Sequence, residues 1–220
     1  MVWLPMAALA MTPFERPLLH DSPAIRSDDL LPIAMFERIR PKLHPAIVAL
    51  RETRRCRLGP QVSLSFENRE TVLWHIHEVI RIERRFAPRQ IREEVRRYDC
   101  LVPRCGELRA TLMVDGGSSS DGARLSHLVA SNRGAVSLRV GALRCRADCV
   151  EYDDPCDSPV HYIRFPVAEA GITARDFLNN LVVLELSADP RVVVTASPHL
   201  RDALATDLRV GGWLHDEAAE

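Results

Sequence analysis

The hydrophobic pattern of this chain changes period once, near residue 105. Before that point apolar positions recur at three- and four-residue steps, which gathers them on one helix face; after it they alternate, as along a half-buried strand. The clearest helical stretch is Ser65–Arg85, SFENRETVLWHIHEVIRIERR. Val72, Ile76, Val79 and Ile80 share a face there, and Glu70, His77, Arg81 and Arg84 lie toward the other side. Asn68 is the N-cap candidate, because its side-chain oxygen can take an unpaired amide hydrogen of the first turn. Glu70 then stands where the helix dipole favours negative charge. Pro88 breaks the pattern and pushes Ala87 away from helical geometry. The preceding run, residues 61–66, alternates polar and apolar and predicts a strand.

The rest follows the same reading. Ser27, Asp28 and Asp29 form a helix start with Pro32 in the first turn. Leu30, Ile33, Ile39, Ile47 and Leu50 suggest the helix that follows, which Pro41 and Pro45 must kink or divide. A strand over 53–58, a Gly59-Pro60 turn and the 61–66 strand form a hairpin. Ile91, Val95 and Tyr98 mark a second helix, ending before Pro103. Strands are predicted at 108–114, 136–140, 143–149, 160–167, 181–186 and 191–196, with a short helix around Leu125–Val129 and a flexible Gly116–Ser120 loop. A closing helix over 198–208 carries Leu200, Leu204 and Leu208 as its core stripe. The fold class is therefore α+β: an N-terminal helical half with a β-hairpin, and a C-terminal half of mostly antiparallel β with a closing helix.

Composition changes this picture in three places. No run of eighteen apolar residues exists, so no transmembrane helix is expected. The apolar opening, Met1–Met11, lacks a basic n-region and contains Pro5, which is unlike a signal peptide. Residues 1–28 are thus expected to be a disordered or mis-started tail. Residues 29–210 make one domain, helix-rich over 29–105 and strand-rich over 106–210, and 211–220 form a flexible tail. A cytoplasmic location follows from the same observation. Charge is unevenly spread: Glu37–Arg109 holds 17 basic and 10 acidic residues, Ala110–Glu220 holds 10 and 16. Such asymmetry suits an anionic partner on the first half, or mutual attraction of the halves.

Candidate chemistry is sparse. Glu67, Asn68, Arg69 and Glu70 form a compact polar knot between a strand and a helix start, with Arg164 as a further candidate. There an anion or carboxylate could dock against outward-pointing amides, or Arg69 could pair with Glu67 or with an acid of the second half and pin the halves together. The pin is the simpler reading. Six cysteines without a signal peptide argue for reduced thiols. Cys100, Cys105, Cys145 and Cys149 could make a four-sulfur zinc site, but Cys145 and Cys149 share strand parity with Leu143 and Ala147, which favours buried structural cysteine. Cys156, among Asp153, Asp154 and Asp157, is expected to be exposed and a poor thiolate. His75 and His77 face different ways on a helix, and a di-iron pattern of Glu-x-x-His from two helices is absent.

Taken together, Asp29-Leu30-Leu31, the Gly59-Pro60 turn, the Phe66–Val72 knot, Pro103–Leu112 with Gly106-Glu107-Leu108, Leu138–Gly141, Val160–Phe165 and the closing Leu200–Leu208 resemble one bacterial family, domain of unknown function 3501. The resemblance covers roughly Asp29 to Leu208 and implies no catalytic residues. Genes of that family tend to sit beside rubrerythrin-like and iron–sulfur oxidoreductase genes, which implies a redox or oxidative-stress context. His75 and His77 stand where the family is expected to hold glutamines. The leading expectation is a non-catalytic accessory or binding module whose partner is a redox or iron–sulfur protein encoded nearby, with no cofactor and no membrane. A metal-dependent or redox enzyme is the first alternative. An anion or nucleic-acid binder using the basic first half is the second, although nucleic acid is not the expected partner.

Overall fold

The computed structural model describes residues 24–115, 120–131, 134–150, 158–188 and 191–211. The expected tails therefore lie outside it over 1–23 and 212–220, as do Cys156 and residues 116–119 of the Gly-Ser loop. Residues 24–28, expected in the N-terminal tail, are instead folded: Ile25 is buried and its amide donates to Asp99 Oδ1 at 2.7 Å, ahead of a 3-10 turn at Ser27–Asp29.

Helices dominate before residue 105. They are α1 (Ile33–Thr53), α2 (Arg69–Ile82) and α3 (Pro88–Tyr98), with the hairpin β1 (Arg55–Arg57) and β2 (Val62–Glu67) between α1 and α2. Pro41 and Pro45 do not divide α1, which runs through both. They lie one turn apart on its exposed side, so the carbonyls that lose an amide partner, those of Glu37 and Pro41, face water. After residue 105 the chain is β3 (Leu108–Val114), α4 (Ser120–Ser131), β4 (Val136–Val140), β5 (Leu143–Arg146), β6 (Asp148–Cys149), β7 (Val160–Phe165), α5 (Ala174–Asn179), β8 (Val182–Leu186), β9 (Val192–Thr195) and α6 (Pro198–Gly211). The α+β class stands. The pattern gave no sign of α5, a short helix entered through Thr173, whose amide and hydroxyl both donate to Asp176 Oδ2.

The strands build two antiparallel sheets, one ordered β1-β2-β3-β7-β6 and the other β5-β4-β8-β9. The expected single strand over 143–149 is shared between them: Leu138 pairs with Cys145 in the four-stranded sheet, and Cys149 pairs with Ile163 in the five-stranded one. The crossing falls at Ala147, whose amide donates to the Val136 carbonyl. One core joins the two sheets. Leu64, Phe66, Ala110, Leu112, Ile163 and Phe165 belong to it from the larger sheet, Leu138, Val140 and Leu184 from the smaller, and Leu200 and Leu204 of α6 complete it. A second cluster, holding Val72, Leu73, Ile76, Ile80, Val95 and Leu101, packs with Tyr162 and joins α2 and α3 to the other face of the larger sheet. Gly106 allows the entry to β3: its φ is +75°, and an added Cβ would stand 2.6 Å from that of Ala168.

Candidate functional site

The knot is a hydrogen-bonded corner. Asn68, with φ −136° and ψ 179°, caps α2 as expected: its Oδ1 accepts from the Thr71 amide at 3.0 Å, and the Asn68 amide donates to Thr71 Oγ1 at 3.0 Å. Glu67 is held by two hydroxyls, Thr71 Oγ1 donating to Oε2 at 2.6 Å and Thr111 Oγ1 to Oε1 at 2.7 Å. Arg69 turns to the N-terminal strap, residues 24–33, and pairs with Asp29 at 2.7 Å, both side chains mostly buried. Neither partner anticipated for Arg69, Glu67 or an acid of the second half, is the one it uses. Glu70 stands in the first turn of α2, where its charge adds to the upward push that burial gives the carboxyl of Asp207.

Arg164 lies two strands away from Glu67. Strand register places Glu67 opposite Arg109, Arg109 opposite Arg164, and Arg164 opposite Asp148. Adjacent strands are about 4.8 Å apart, so Arg164 and Glu67 share a row on one sheet face without meeting. Arg164 instead shares Glu107 with Arg109, its Nε 3.0 Å from Oε2 while Arg109 Nε donates to Oε1 at 2.8 Å. The corner and this row are thus two separate ion-pair networks.

The deepest charges near the knot are a pair that the pattern did not single out. Arg54, at the end of α1, reaches Asp207 of α6 at 2.8 Å, and the two side chains are 7% and 9% exposed. Burial pushes the Asp207 carboxyl up to about 6, outweighing the attraction of Arg54.

The four candidate sulfurs separate. Cys145 is buried in the smaller sheet, Cys149 is half-buried in the larger one with its thiol donating to the Val129 carbonyl, Cys100 is half-buried after α3, and Cys105 is exposed. All are free thiols, and no group of three or more His, Cys, Asp or Glu among the described residues could hold a metal ion. Burial raises the Cys145 thiol to about 12, which removes it as a nucleophile at neutral pH.

His75 and His77 point apart, as the helical spacing requires. His75 meets the edge of Tyr98, with ring centroids 4.5 Å apart. His77, expected on the polar side, is buried, because α1 covers that side and stacks Phe36 on the imidazole at 4.5 Å. Its Nδ1 lies 2.8 Å from the Leu73 carbonyl and its Nε2 accepts from the Leu31 amide at 2.9 Å, which fixes a neutral ring with its hydrogen on Nδ1. Burial lowers both imidazoles below their ordinary range. A lowered pKa means the unfolded chain binds protons first, so this contribution is present above about pH 6.5 and is lost as pH falls. The melting temperature of the wild type should therefore drop between about pH 7 and pH 5 by more than that of His77→Gln. Parallel thermal melts at both pH values test this, and equal slopes would contradict it.

His77 also borders a pocket of about 220 Å³ between the strap, α2 and α3. Leu30, Pro32, Ile33, Ile80, Ile91 and Phe86 line it. Phe86 is 46% exposed and the nearby end of α2 presents Ile82 at 67%. The chain is fixed just before Phe86. Arg84 closes α2 in the left-handed region, with φ 54°, a conformation that costs a non-glycine residue about 1 kcal/mol. Arg85 pairs with Glu93 at 2.9 Å and with the buried Glu94 at 2.7 Å on α3. Sequence reading missed this site, although a phenylalanine between two arginines and Pro88 is out of keeping with a purely solvated loop.

The model of the family described as protein of unknown function (DUF3501) matches residues 24–208. A crystal structure of a novel protein of unknown function from Burkholderia pseudomallei K96243 superposes with a TM-score of 0.72 at 27% identity, covering 84% of this chain and 99% of that one. No curated protein matches the chain. Among the described residues no helix is long and apolar enough to cross a membrane.

Proposed function

We propose that this chain, which belongs to the DUF3501 family, is a non-catalytic binding module that serves a redox enzyme system by receiving an apolar segment of a partner protein in the pocket beside Phe86. One observation carries this reading: an apolar pocket of about 220 Å³ is rimmed by a half-exposed phenylalanine whose neighbour Arg85 is tied to α3. Exposed apolar surface around a concave site marks protein contact, and a rigid aromatic at its edge is the usual energetic anchor. The redox setting comes from the neighbouring genes typical of the family, rubrerythrin-like and iron–sulfur oxidoreductase, and names the proteins to try. The polar groups of the knot support the same reading, since Glu67, Asn68 and Arg69 direct their bonds to each other's neighbours and to Asp29.

The test is equilibrium binding of the purified rubrerythrin-like and iron–sulfur proteins to the wild type and to Phe86→Asp. The substitution should weaken binding at least about tenfold and leave the melting temperature within about a degree, because the lost side chain is half in water. Binding to Phe86→Asp as tight as to the wild type would overturn the assignment of the pocket.

A further inference from the structure

The outer face of the four-stranded sheet carries a charge cluster that neither the knot nor the pocket uses. Glu185, on β8, is 5% exposed, yet three guanidinium groups converge on it. Arg144 Nη2 lies 2.8 Å and Arg191 Nη2 2.6 Å from the same oxygen, Oε2, and Arg139 Nε stands 3.7 Å from Oε1. Ser137, opposite Glu185 in register, accepts from Arg144 Nε at 3.2 Å and Nη2 at 3.0 Å. Arg139, Arg144 and Arg191 are 40%, 43% and 57% exposed, so much of each fork still faces solvent. Arg146, opposite Ser137, adds a fourth guanidinium to the face.

This is more positive charge than burying one carboxylate requires. A single bidentate arginine balances the charge of a carboxylate. Here, among the described residues, three guanidinium groups meet one carboxylate, an excess of two charges (3 − 1 = 2). Arg139 and Arg144 also stand directly opposite each other across β4 and β5, a like-charge pair that strand pairing disfavours. A local conflict of this kind, kept in an otherwise consistent sheet, is characteristic of a functional surface, and a bound anion would relieve it.

We infer that this face docks an acidic protein segment, whose carboxylates take the solvent-facing guanidinium hydrogens of Arg139, Arg144 and Arg191. Two features favour protein over nucleic acid. Val193, opposite Glu185, is an exposed large apolar group on the same face as the arginines, and no further acidic group of strands β4, β5, β8 and β9 lies beside it. Protein interfaces combine arginine with apolar contact at their centres, whereas nucleic-acid surfaces are more polar and more charged. Strands β4, β5, β8 and β9 also contain no aromatic residue on which an unpaired base could stack. The surface belongs to the half of the chain whose net charge is negative, so counting charges along the sequence points away from it.

The experiment titrates the full chain with poly-L-glutamate and, in parallel, with a short oligothymidylate, at low and at physiological salt. Poly-L-glutamate should bind, bind more tightly than the oligonucleotide, and weaken as salt rises. Arg139→Gln leaves Glu185 its two closest partners, and Val193→Asp alters an exposed side chain on the same face. Each should weaken poly-L-glutamate binding by about tenfold with an unchanged melting temperature. Arg89→Gln, on the exposed side of α3, should bind as the wild type does, and so should Phe86→Asp, which separates this surface from the pocket. Absence of poly-L-glutamate binding, or wild-type affinity in both face variants, would overturn the inference. So would tighter binding of oligothymidylate, which would assign the face to nucleic acid.

Discussion

Replacing Arg54 by alanine should destabilise the protein by about 3–5 kcal/mol, the largest single-residue effect expected outside the apolar core. The reason is what remains behind. The Asp207 side chain on α6 is largely shielded from water, and Arg54 is its guanidinium partner at 2.8 Å. Without it a carboxylate is left in a poorly solvated site with Glu70 adding repulsion. The pair also ties the end of α1 to α6, so its loss loosens the link between the helical half and the sheets. Chemical denaturation of Arg54→Ala against the wild type measures the loss, and a difference below about 1 kcal/mol would show that the pair is not structural.

The same pair has a pH signature. The folded-state pKa of Asp207 is raised to about 6, above its usual 3.8. A raised pKa means that the native state holds the proton more tightly. The associated stability is fully present below about pH 3.8 and is lost as pH rises through about 6. Asp207→Asn removes that loss while keeping shape and a hydrogen-bond acceptor. Its stability relative to the wild type should therefore rise with pH across this window. The histidines act in the opposite sense, so the comparison of variants isolates each group where the wild-type curve alone would not.

The residues show where sequence could be read and where it could not. The switch from helix to strand near residue 105 was visible because each element buries one face, and burial writes its period into the chain. Asn68 was legible as a cap because capping is local chemistry. The partners of charged groups were not. Arg69 finds Asp29 forty residues earlier, and Arg54 finds Asp207 at the far end of the chain, pairings set by tertiary packing that no local pattern encodes. His77 looked solvent-facing because α2 was read as having one buried side, whereas α1 covers a second. Residues 143–149 read as one strand because alternation reports parity and says nothing about which sheet a residue joins. The pocket escaped notice because its walls come from three elements brought together only by folding.

The Glu67–Glu70 knot is a corner that ties α2 to the 24–33 strap. Arg69 tests it most directly. Its pair with Asp29 holds the 24–33 strap across α2, and that strap supplies Leu30, Pro32 and Ile33 to the pocket wall. Arg69→Ala leaves Asp29, itself mostly buried, without its cation. The cost should be about 2–3 kcal/mol, less than a fully buried pair because both groups keep some water, and for a chain of this size that lowers the melting temperature by about 5–10 °C. A thermal melt of Arg69→Ala beside the wild type decides the matter. A drop of that size is the expected result. A variant that melts with the wild type, and has lost partner binding, would make the motif a site and the corner reading wrong.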